Sequence, residues 1–158
     1  LHDALPILTF VVKESLLKYP FFSPVLGSRE PIVVGRSNPR EDLVAVLEGG
    51  EARLKQGRSV IVFPQSTRSS VFDPAHFNTI GVKLAKRAGV PVIPVALKTD
   101  AWGNGNLLKD FGPVDVKKTI HFEFGAPMRI EGTGKAEHQQ ITEFIIDRLG
   151  VWGREIGE

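Results

Sequence analysis

Apolar residues occur in short runs along the chain, and polar segments with helical spacing separate these runs. Three runs in the first half, at residues 8–12, 31–34 and 59–63, predict buried β-strands. The third run is apolar on both faces, which is typical of a central strand in a parallel sheet. Two later runs, at residues 90–97 and 119–124, predict a fourth strand and an edge strand.

A strong helix-start signal follows the second predicted strand. Asn38 can cap the helix, and Pro39 occupies its first position, where a missing N–H costs nothing. Gly49 and Gly50 interrupt the helical pattern and weaken its middle. Gly57 is a suitable stop, so the helix is expected to end shortly before it.

Three further helices are predicted, and their positions between the strands indicate the fold class. They are expected at residues 15–19, 80–88 and 137–149. Alternation of strands and helices is typical of an α/β protein. We therefore predict an α/β fold with a mostly parallel central sheet flanked by helices. Its fourth strand contains Pro91 and Pro94, which must lie at a strand start, an edge or a bulge.

Composition narrows the classes of function. The 158 residues fit one domain, with 42% hydrophobic and 24% charged residues, as in ordinary globular proteins. Absence of cysteine excludes disulfides and thiol catalysis, and four scattered histidines predict no metal site. A formal net charge of +2 gives no reason to expect nucleic acid as a partner.

Polar residues follow the third predicted strand where it ends at Pro64. Gln65, Ser66, Thr67 and Arg68 come in succession there. Ligands of α/β proteins bind beyond the carboxyl ends of the strands, and an arginine flanked by hydroxyl groups suits a phosphate or carboxylate. A solvated turn explains the same residues equally well from spacing alone.

Arg36 follows the second predicted strand in the same way and precedes a helix N-terminus. Such a terminus offers unpaired N–H groups and a partial positive charge. Arg36 and Arg68 could therefore converge on one anion. Taken alone, Arg36 is also compatible with an ordinary exposed surface arginine.

Three blocks together resemble the glycerolipid acyltransferases related to lysophosphatidic acid acyltransferase. Residues 63–69 (FPQSTRS) resemble the family's FPEGTRS block, and residues 32–36 (IVVGR) resemble its apolar strand ending in arginine. Residues 90–95 (VPVIPV) resemble its proline-containing block. Their order and spacing agree with the family, and the resemblance extends over most of residues 10–128.

The resemblance implies transfer of a fatty acyl group to the free hydroxyl of a lysophospholipid such as lysophosphatidic acid. It assigns the acceptor phosphate to Arg36, Thr67 and Arg68, with Gln65 and Ser66 in the same block. Gln65 stands where the family has glutamate and Ser66 where it has glycine, which leaves the acceptor's identity open.

The implied fold is a glycerol-3-phosphate acyltransferase-like domain that lacks its first elements. No cofactor is implied, because acyl-CoA or acyl-carrier protein serves as co-substrate. The implied location is the cytoplasmic face of a membrane, with peripheral attachment or an anchor in upstream sequence.

The family's catalytic H-x-x-x-x-D pair is missing from this sequence. The residues at the required offset from the four histidines are Ile7, Gly81, Ala126 and Glu143. His138, which precedes Glu143, is expected to be an exposed helical residue, His76 to cap a loop, and His121 to lie in an edge strand. The chain alone is therefore expected to be inactive.

Two other functions are compatible with a chain lacking this pair. The first is a non-catalytic lipid- or phosphate-binding module of the same fold. The second is a nucleotide-binding α/β domain, which is disfavoured because neither G-x-G-x-x-G nor G-x-x-x-x-G-K-[ST] is present.

The first seven residues are interpreted as non-native sequence. The codons CTA CAC GAC GCT CTT CCG ATC, the end of a common short-read sequencing adapter, translate to LHDALPI. The family resemblance begins just after Ile7, and the chain starts with Leu1 rather than methionine. We therefore divide the chain into residues 1–7, derived from adapter, and residues 8–158, a single partial acyltransferase domain.

Overall fold

The structure is a computed structural model that describes residues 7–18, 23–35, 37–65, 71–101, 103, 112–153 and 156–157. The chain forms two compact units. The first contains Leu1–Pro64, Asn78–Pro91 and Arg129–Gly134, and the second contains Gln65–Phe77, Val92–Met128 and Lys135–Glu158.

Helices and strands alternate over most of the described chain, as the sequence predicts. The elements are β1 (Leu8–Lys13), a 3₁₀ turn (Glu14–Lys18), α1 (Ser23–Gly27), β2 (Ile32–Val34), α2 (Pro39–Lys55), β3 (Ser59–Ile61), a second 3₁₀ turn (Pro74–His76), α3 (Ile80–Ala88), β4 (Val95–Lys98), β5 (His121–Phe124) and α4 (Lys135–Val151). None of the helices in this described part is long and apolar enough to cross a membrane.

A parallel three-stranded sheet forms the centre of the first unit, in the order β2-β1-β3. Val11 of β1 lies opposite Ile32 of β2, and Thr9 lies opposite Val60 of β3. The prediction that β3 is central is wrong for the described residues, because β3 pairs there only with β1 and Ile61 is 36% exposed. Apolar character on both faces did not distinguish an edge strand from a central one.

Helix α2 covers one face of this sheet and begins as predicted. The Asn38 side chain accepts a hydrogen bond from the Arg40 N–H at 3.1 Å, and Pro39 is the first helical residue. The helix continues through the two glycines because they lie where α2 contacts its neighbours. A Cβ atom added to Gly50 would lie 2.6 Å from Leu84 Cδ2 of α3, and one on Gly49 would lie 3.3 Å from Ile32 Cγ2 of β2.

A cluster around Glu30 joins the amino-terminal ends of the parallel strands. The Glu30 carbonyl accepts hydrogen bonds from Thr9 Oγ1 at 3.1 Å and from Arg53 Nε at 3.3 Å. Its carboxylate lies 3.0 Å from Arg58 Nη1 and 3.4 Å from Arg53 Nη2. Thr9 and Arg58 are buried, so Glu30 supplies partners to polar groups that water does not reach.

The second unit contains an antiparallel strand pair that packs on α4. Val95 of β4 lies opposite Phe124 of β5, so the fourth apolar run joins β5 rather than the parallel sheet. Pro91 and Pro94 precede β4, which agrees with the predicted positions for residues that cannot donate ladder hydrogen bonds. Helix α4 has the predicted apolar face, on which the buried residues are Ile141, Ile145 and Leu149.

Gly50→Ala should destabilise the chain, because Leu84 is buried and the new methyl group would overlap its side chain. Overpacking of this kind costs about 1–3 kcal/mol, which exceeds the gain of about 0.8–1 kcal/mol expected for alanine in a helix. Gly81→Ala in α3 is the matched control, since its Cβ meets open space. Urea denaturation should show a lower midpoint for Gly50→Ala and an unchanged or higher one for Gly81→Ala. Equal increases in both variants would contradict the packing role of Gly50.

Candidate active site

The carboxyl ends of the three parallel strands lie at one edge of the first unit's sheet. Lys13, the last residue of β1, lies opposite Val34, the last residue of β2. On the other side Phe10 lies opposite Ile61, and continuing this register brings Pro64 to the level of Lys13. Adjacent strands are about 4.8 Å apart, so the exits of β2 and β3 are about 10 Å apart. The parallel sheet thus has the ligand-binding edge that the sequence predicts.

Only one of the five predicted site residues falls within the described part of the chain. Arg36, Ser66, Thr67 and Arg68 lie outside it, and their assignment to the acceptor phosphate stays a prediction. Gln65 is half-buried and forms an isolated antiparallel bridge with Phe77. Its Nε2 donates to the Val71 carbonyl at 3.5 Å. These contacts connect the two sides of the loop that contains Thr67 and Arg68.

The chain on both sides of position 36 is held by the first turn of α2. The Gly35 N–H donates to Asp42 Oδ1 at 2.9 Å, and Asn38 Nδ2 donates to Glu41 Oε1 at 2.8 Å. Acidic side chains therefore lie at this helix N-terminus, and Asn38 satisfies the N–H of Arg40. The expected contribution of free helix N–H groups to an anion site is therefore reduced, and a bound anion there would depend more on cationic side chains such as the predicted Arg36.

The exit of β3 is connected to the start of α3 by Asn78. Its Nδ2 donates to the Pro64 carbonyl at 2.5 Å, and its Oδ1 accepts from the Ile80 N–H at 3.0 Å. One side chain thus positions the last residue before the loop and caps the helix that follows the loop.

The predicted loop-capping role of His76 belongs mainly to Asp73. Asp73 Oδ1 accepts from the Ala75 N–H at 2.9 Å at the start of the 3₁₀ turn, and its Oδ2 lies 2.5 Å from His76 Nδ1. The hydrogen bond from His76 is the largest cause that lowers the pKa of the Asp73 carboxyl below its usual 3.8. The His76 side chain is itself 80% exposed.

His138 differs from its predicted state, since it is half-buried rather than exposed. Its Nε2–H donates to the Phe77 carbonyl at 3.1 Å, and its ring lies 5.7 Å from the Phe77 ring. Glu143, five residues later, accepts instead from Gln139 Nε2 at 2.9 Å. The pair therefore does not form a histidine–carboxylate dyad. His121 lies in β5 as predicted and stacks on Trp152 at 5.0 Å.

Sequence reasoning missed Lys13 as a candidate site residue. It ends the central strand, between the exits of β2 and β3, and is exposed. The signal was the one that identified Arg36, namely a cationic residue directly after an apolar run. The central position of β1 was not evident from its sequence, so the position of Lys13 on the sheet edge was not evident either.

Comparisons with known proteins identify the class to which this α/β domain belongs. The family model described as "Acyltransferase" matches residues 1–98. The chain therefore belongs to the acyltransferase family, which confirms the resemblance seen in the sequence blocks.

Individual relatives agree with this family assignment. The chain is 35% identical over 127 residues to the 1-acyl-sn-glycerol-3-phosphate acyltransferase of Pseudomonas aeruginosa, covering 80% of this chain and 48% of that protein. It is 33% identical over 89 residues to the enzyme of that name from Escherichia coli, covering 56% of this chain and 36% of that protein. The chain thus spans about half or less of the length of these relatives.

A solved structure supports the fold. The crystal structure of the 1-acyl-sn-glycerophosphate (LPA) acyltransferase from Thermotoga maritima has a TM-score of 0.67 and 18% sequence identity to this chain. The match covers 96% of this chain and 59% of that chain. At this level of identity the match confirms the predicted α/β fold.

His76→Ala should raise the pKa of the Asp73 carboxyl toward 3.8, because the largest cause of its depression is removed. The backbone hydrogen bond from Ala75 remains, so the return should be incomplete. A depressed carboxyl pKa stabilises the folded chain above the unfolded pKa, and this contribution is lost as pH falls through the folded pKa. Carboxyl-carbon NMR titration measures the shift, with Glu51 as internal control because Lys55 and Arg87 lower its pKa independently. An unchanged Asp73 pKa would contradict the pairing.

Proposed function

We propose that the intact protein transfers a fatty acyl group from an acyl thioester to the free hydroxyl of a lysophospholipid. The acceptor is of the lysophosphatidic acid kind, the donor is acyl-CoA or acyl-carrier protein, and the product enters phospholipid synthesis. The observation that carries this proposal is the match to the acyltransferase family over residues 1–98. The names of the relatives, 1-acyl-sn-glycerol-3-phosphate acyltransferases, support the choice of acceptor.

The acceptor phosphate is assigned to Arg36 and Arg68, with Thr67 and Ser66 as hydroxyl donors. The sheet geometry supports this assignment, because the chain leaves β2 and β3 at the same edge, about 10 Å apart. A guanidinium can bind a phosphate through two parallel hydrogen bonds, which gives both affinity and orientation. The phosphate then fixes the acceptor so that its free hydroxyl points toward the catalytic groups of the intact protein.

Gln65 is assigned to the loop rather than to the reaction. Its amide donates to the Val71 carbonyl, and a carboxylate at this position could not donate such a bond. Glutamine also has no basic group that could accept the acceptor's hydroxyl proton. We therefore expect the difference from the family's glutamate to affect loop geometry and acceptor choice more than proton transfer.

The catalytic base belongs to sequence that this chain does not contain. In the family a histidine of H-x-x-x-x-D removes the hydroxyl proton, and none of the four histidines here is followed by aspartate at that spacing. Loss of a general base lowers the rate by about 10²–10⁴-fold. The chain alone is therefore expected to bind the acceptor without measurable turnover.

Both proposed substrates favour a membrane surface as the location of the intact protein. A lysophospholipid and a long acyl chain partition into bilayers, so we expect peripheral or anchored attachment on the cytoplasmic face. Acyl-carrier protein is expected as a partner only if it, rather than coenzyme A, carries the acyl group.

A second candidate is a non-catalytic lipid- or phosphate-binding module of the same fold. The observation that favours it is the missing histidine–aspartate pair, together with the separate partners of His138 and Glu143. Acyl transfer by the intact protein, followed with radiolabelled acyl-CoA and lysophosphatidic acid, separates the two functions. Labelled phosphatidic acid would support the enzyme, and binding without product would support the module.

Arg68→Ala or Arg36→Ala should weaken binding of short-chain lysophosphatidic acid to the 158-residue chain. Loss of a charge-assisted hydrogen bond costs about 1.5–3 kcal/mol, which is about 10–100-fold in Kd. Isothermal titration calorimetry measures the affinity, with a neutral monoacylglycerol as comparison ligand. Arg29→Ala is the matched control, because Arg29 is exposed and precedes β2, at the opposite end of the strand from Arg36. Unchanged affinity in both site variants would remove these arginines from the acceptor site.

Lys13→Ala should also weaken binding of short-chain lysophosphatidic acid, but by a smaller factor of about 3–10-fold in Kd. The effect is smaller because an exposed ammonium acts as a screened point charge. The loss should shrink as salt is raised from 50 to 500 mM, whereas Lys18→Ala should bind like the parent chain. Lys18 is a suitable control because it already pairs with Glu14 at 3.5 Å. A salt-independent loss would indicate that Lys13 acts through folding and not through charge.

A further inference from the structure

We propose that helix α4 positions residues 71–77, the returning arm of the arginine-bearing loop, with His138 as the positioning residue. The inference rests on the proposed function in one respect, since it takes the loop containing Thr67 and Arg68 to bind the acceptor phosphate. It adds a residue about 70 positions away in sequence, which touches neither the phosphate nor the reacting atoms.

The loop has a defined base within the second unit. Gln65 and Phe77 form an antiparallel bridge, so the chain departs and returns at neighbouring positions. The Phe77 N–H donates to the Pro74 carbonyl at 3.2 Å as part of the 3₁₀ turn. Its carbonyl accepts the hydrogen bond from His138, so a shift of Phe77 would move the point at which the loop returns.

His138 holds Phe77 by two contacts of different kinds. The Nε2–H to carbonyl bond of 3.1 Å fixes the direction of the Phe77 peptide group. The two rings lie 5.7 Å apart with an interplanar angle of 43°, which fixes the side chain. Thr142 Oγ1 donates to the His138 carbonyl at 2.9 Å, within the helix that carries His138. The imidazole therefore holds Phe77 at a fixed position relative to helix α4.

Phe72 provides a second point of attachment for the arm of the loop that ends at Phe77. Phe72 is buried, and its ring packs edge-on against Phe77 at 5.5 Å. Its backbone pairs with Ile156, and its carbonyl accepts from the Gly157 N–H at 2.7 Å. The returning arm is thus attached at one end to the C-terminal segment and at the other to α4, and all of these residues belong to the second unit.

A positioning role explains His138 better than a role as general base. Its Nε2 is engaged with a backbone carbonyl, and Glu143, the acid at the family's spacing, is engaged with Gln139. The ring is also half-buried against Phe77. Loss of His138 should therefore affect how well the phosphate is held and should leave binding of an uncharged acceptor unchanged.

The test compares two substitutions of His138 in the full 158-residue chain. His138→Leu keeps the bulk of the side chain but removes the donor, whereas His138→Gln keeps an N–H at a similar reach. Gln139→Ala is the control, because Gln139 is exposed and its partner Glu143 lies on the same helix. Circular dichroism establishes that all three variants are folded before binding is measured.

The first readout is the ratio of affinities for short-chain lysophosphatidic acid and a neutral monoacylglycerol. Loss of one hydrogen bond corresponds to about a fivefold change, so His138→Leu should lower this ratio about fivefold. His138→Gln and Gln139→Ala should keep the parent ratio. An unchanged ratio in His138→Leu, in a chain that prefers the phosphate ligand, would overturn the positioning role.

The second readout does not depend on a ligand and separates this proposal from the proposed function. Hydrogen exchange in residues 65–77 should accelerate about fivefold in His138→Leu, while exchange in α2 stays unchanged. Unaltered exchange in residues 65–77 would refute the positioning role whatever the binding data show. Faster exchange in a chain whose parent form shows no preference for phosphate would support the positioning role and reject the phosphate site.

Discussion

The buried guanidinium of Arg58 is the constraint on which the parallel sheet depends, because a charge removed from water requires a charged partner. Glu30 supplies that partner and also holds Arg53 of α2 and Thr9 of β1. Glu30 adopts a left-handed backbone conformation with φ of 46°, which is unfavourable for a residue with a side chain. Its hydrogen bonds and ion pairs offset this cost. One residue thus connects the segments that lead into β2 and β3 to the central strand.

This arrangement at the amino ends sets the geometry at the carboxyl ends. Because Thr9 and Arg58 fix β1 and β3 relative to Glu30, the register of the sheet is fixed before the chain reaches Val34 or Pro64. A slip of one residue would turn the apolar side chains of a strand to the other face. The stability of the sheet and the placement of candidate ligand-binding residues therefore have a common origin.

Features that depend on residues close in sequence could be predicted from the sequence, whereas contacts between distant segments could not. The cap at Asn38 was predictable because it depends on residues within one helical turn. The continuation of α2 through Gly50 was not, since it depends on the space beside Leu84 of another helix. The burial of His138 depends likewise on Phe77, 61 residues earlier. Of the site itself, the blocks containing Arg36 and Arg68 were recognisable because residue order alone carries that resemblance.

The proposed separation of phosphate binding from proton transfer has a consequence for catalysis. Binding energy from a phosphate that does not react can be used to orient a distant hydroxyl group, so it contributes to rate only when the catalytic base is present. In a chain without the H-x-x-x-x-D pair the same interactions contribute to affinity alone. The position of the arginine loop then matters more for rate than for affinity, because an acceptor held about 1 Å out of place can still bind but reacts far more slowly. If helix α4 holds the returning arm of this loop through Phe77, as we propose, it is expected to influence turnover in the intact protein more than it influences affinity in this chain.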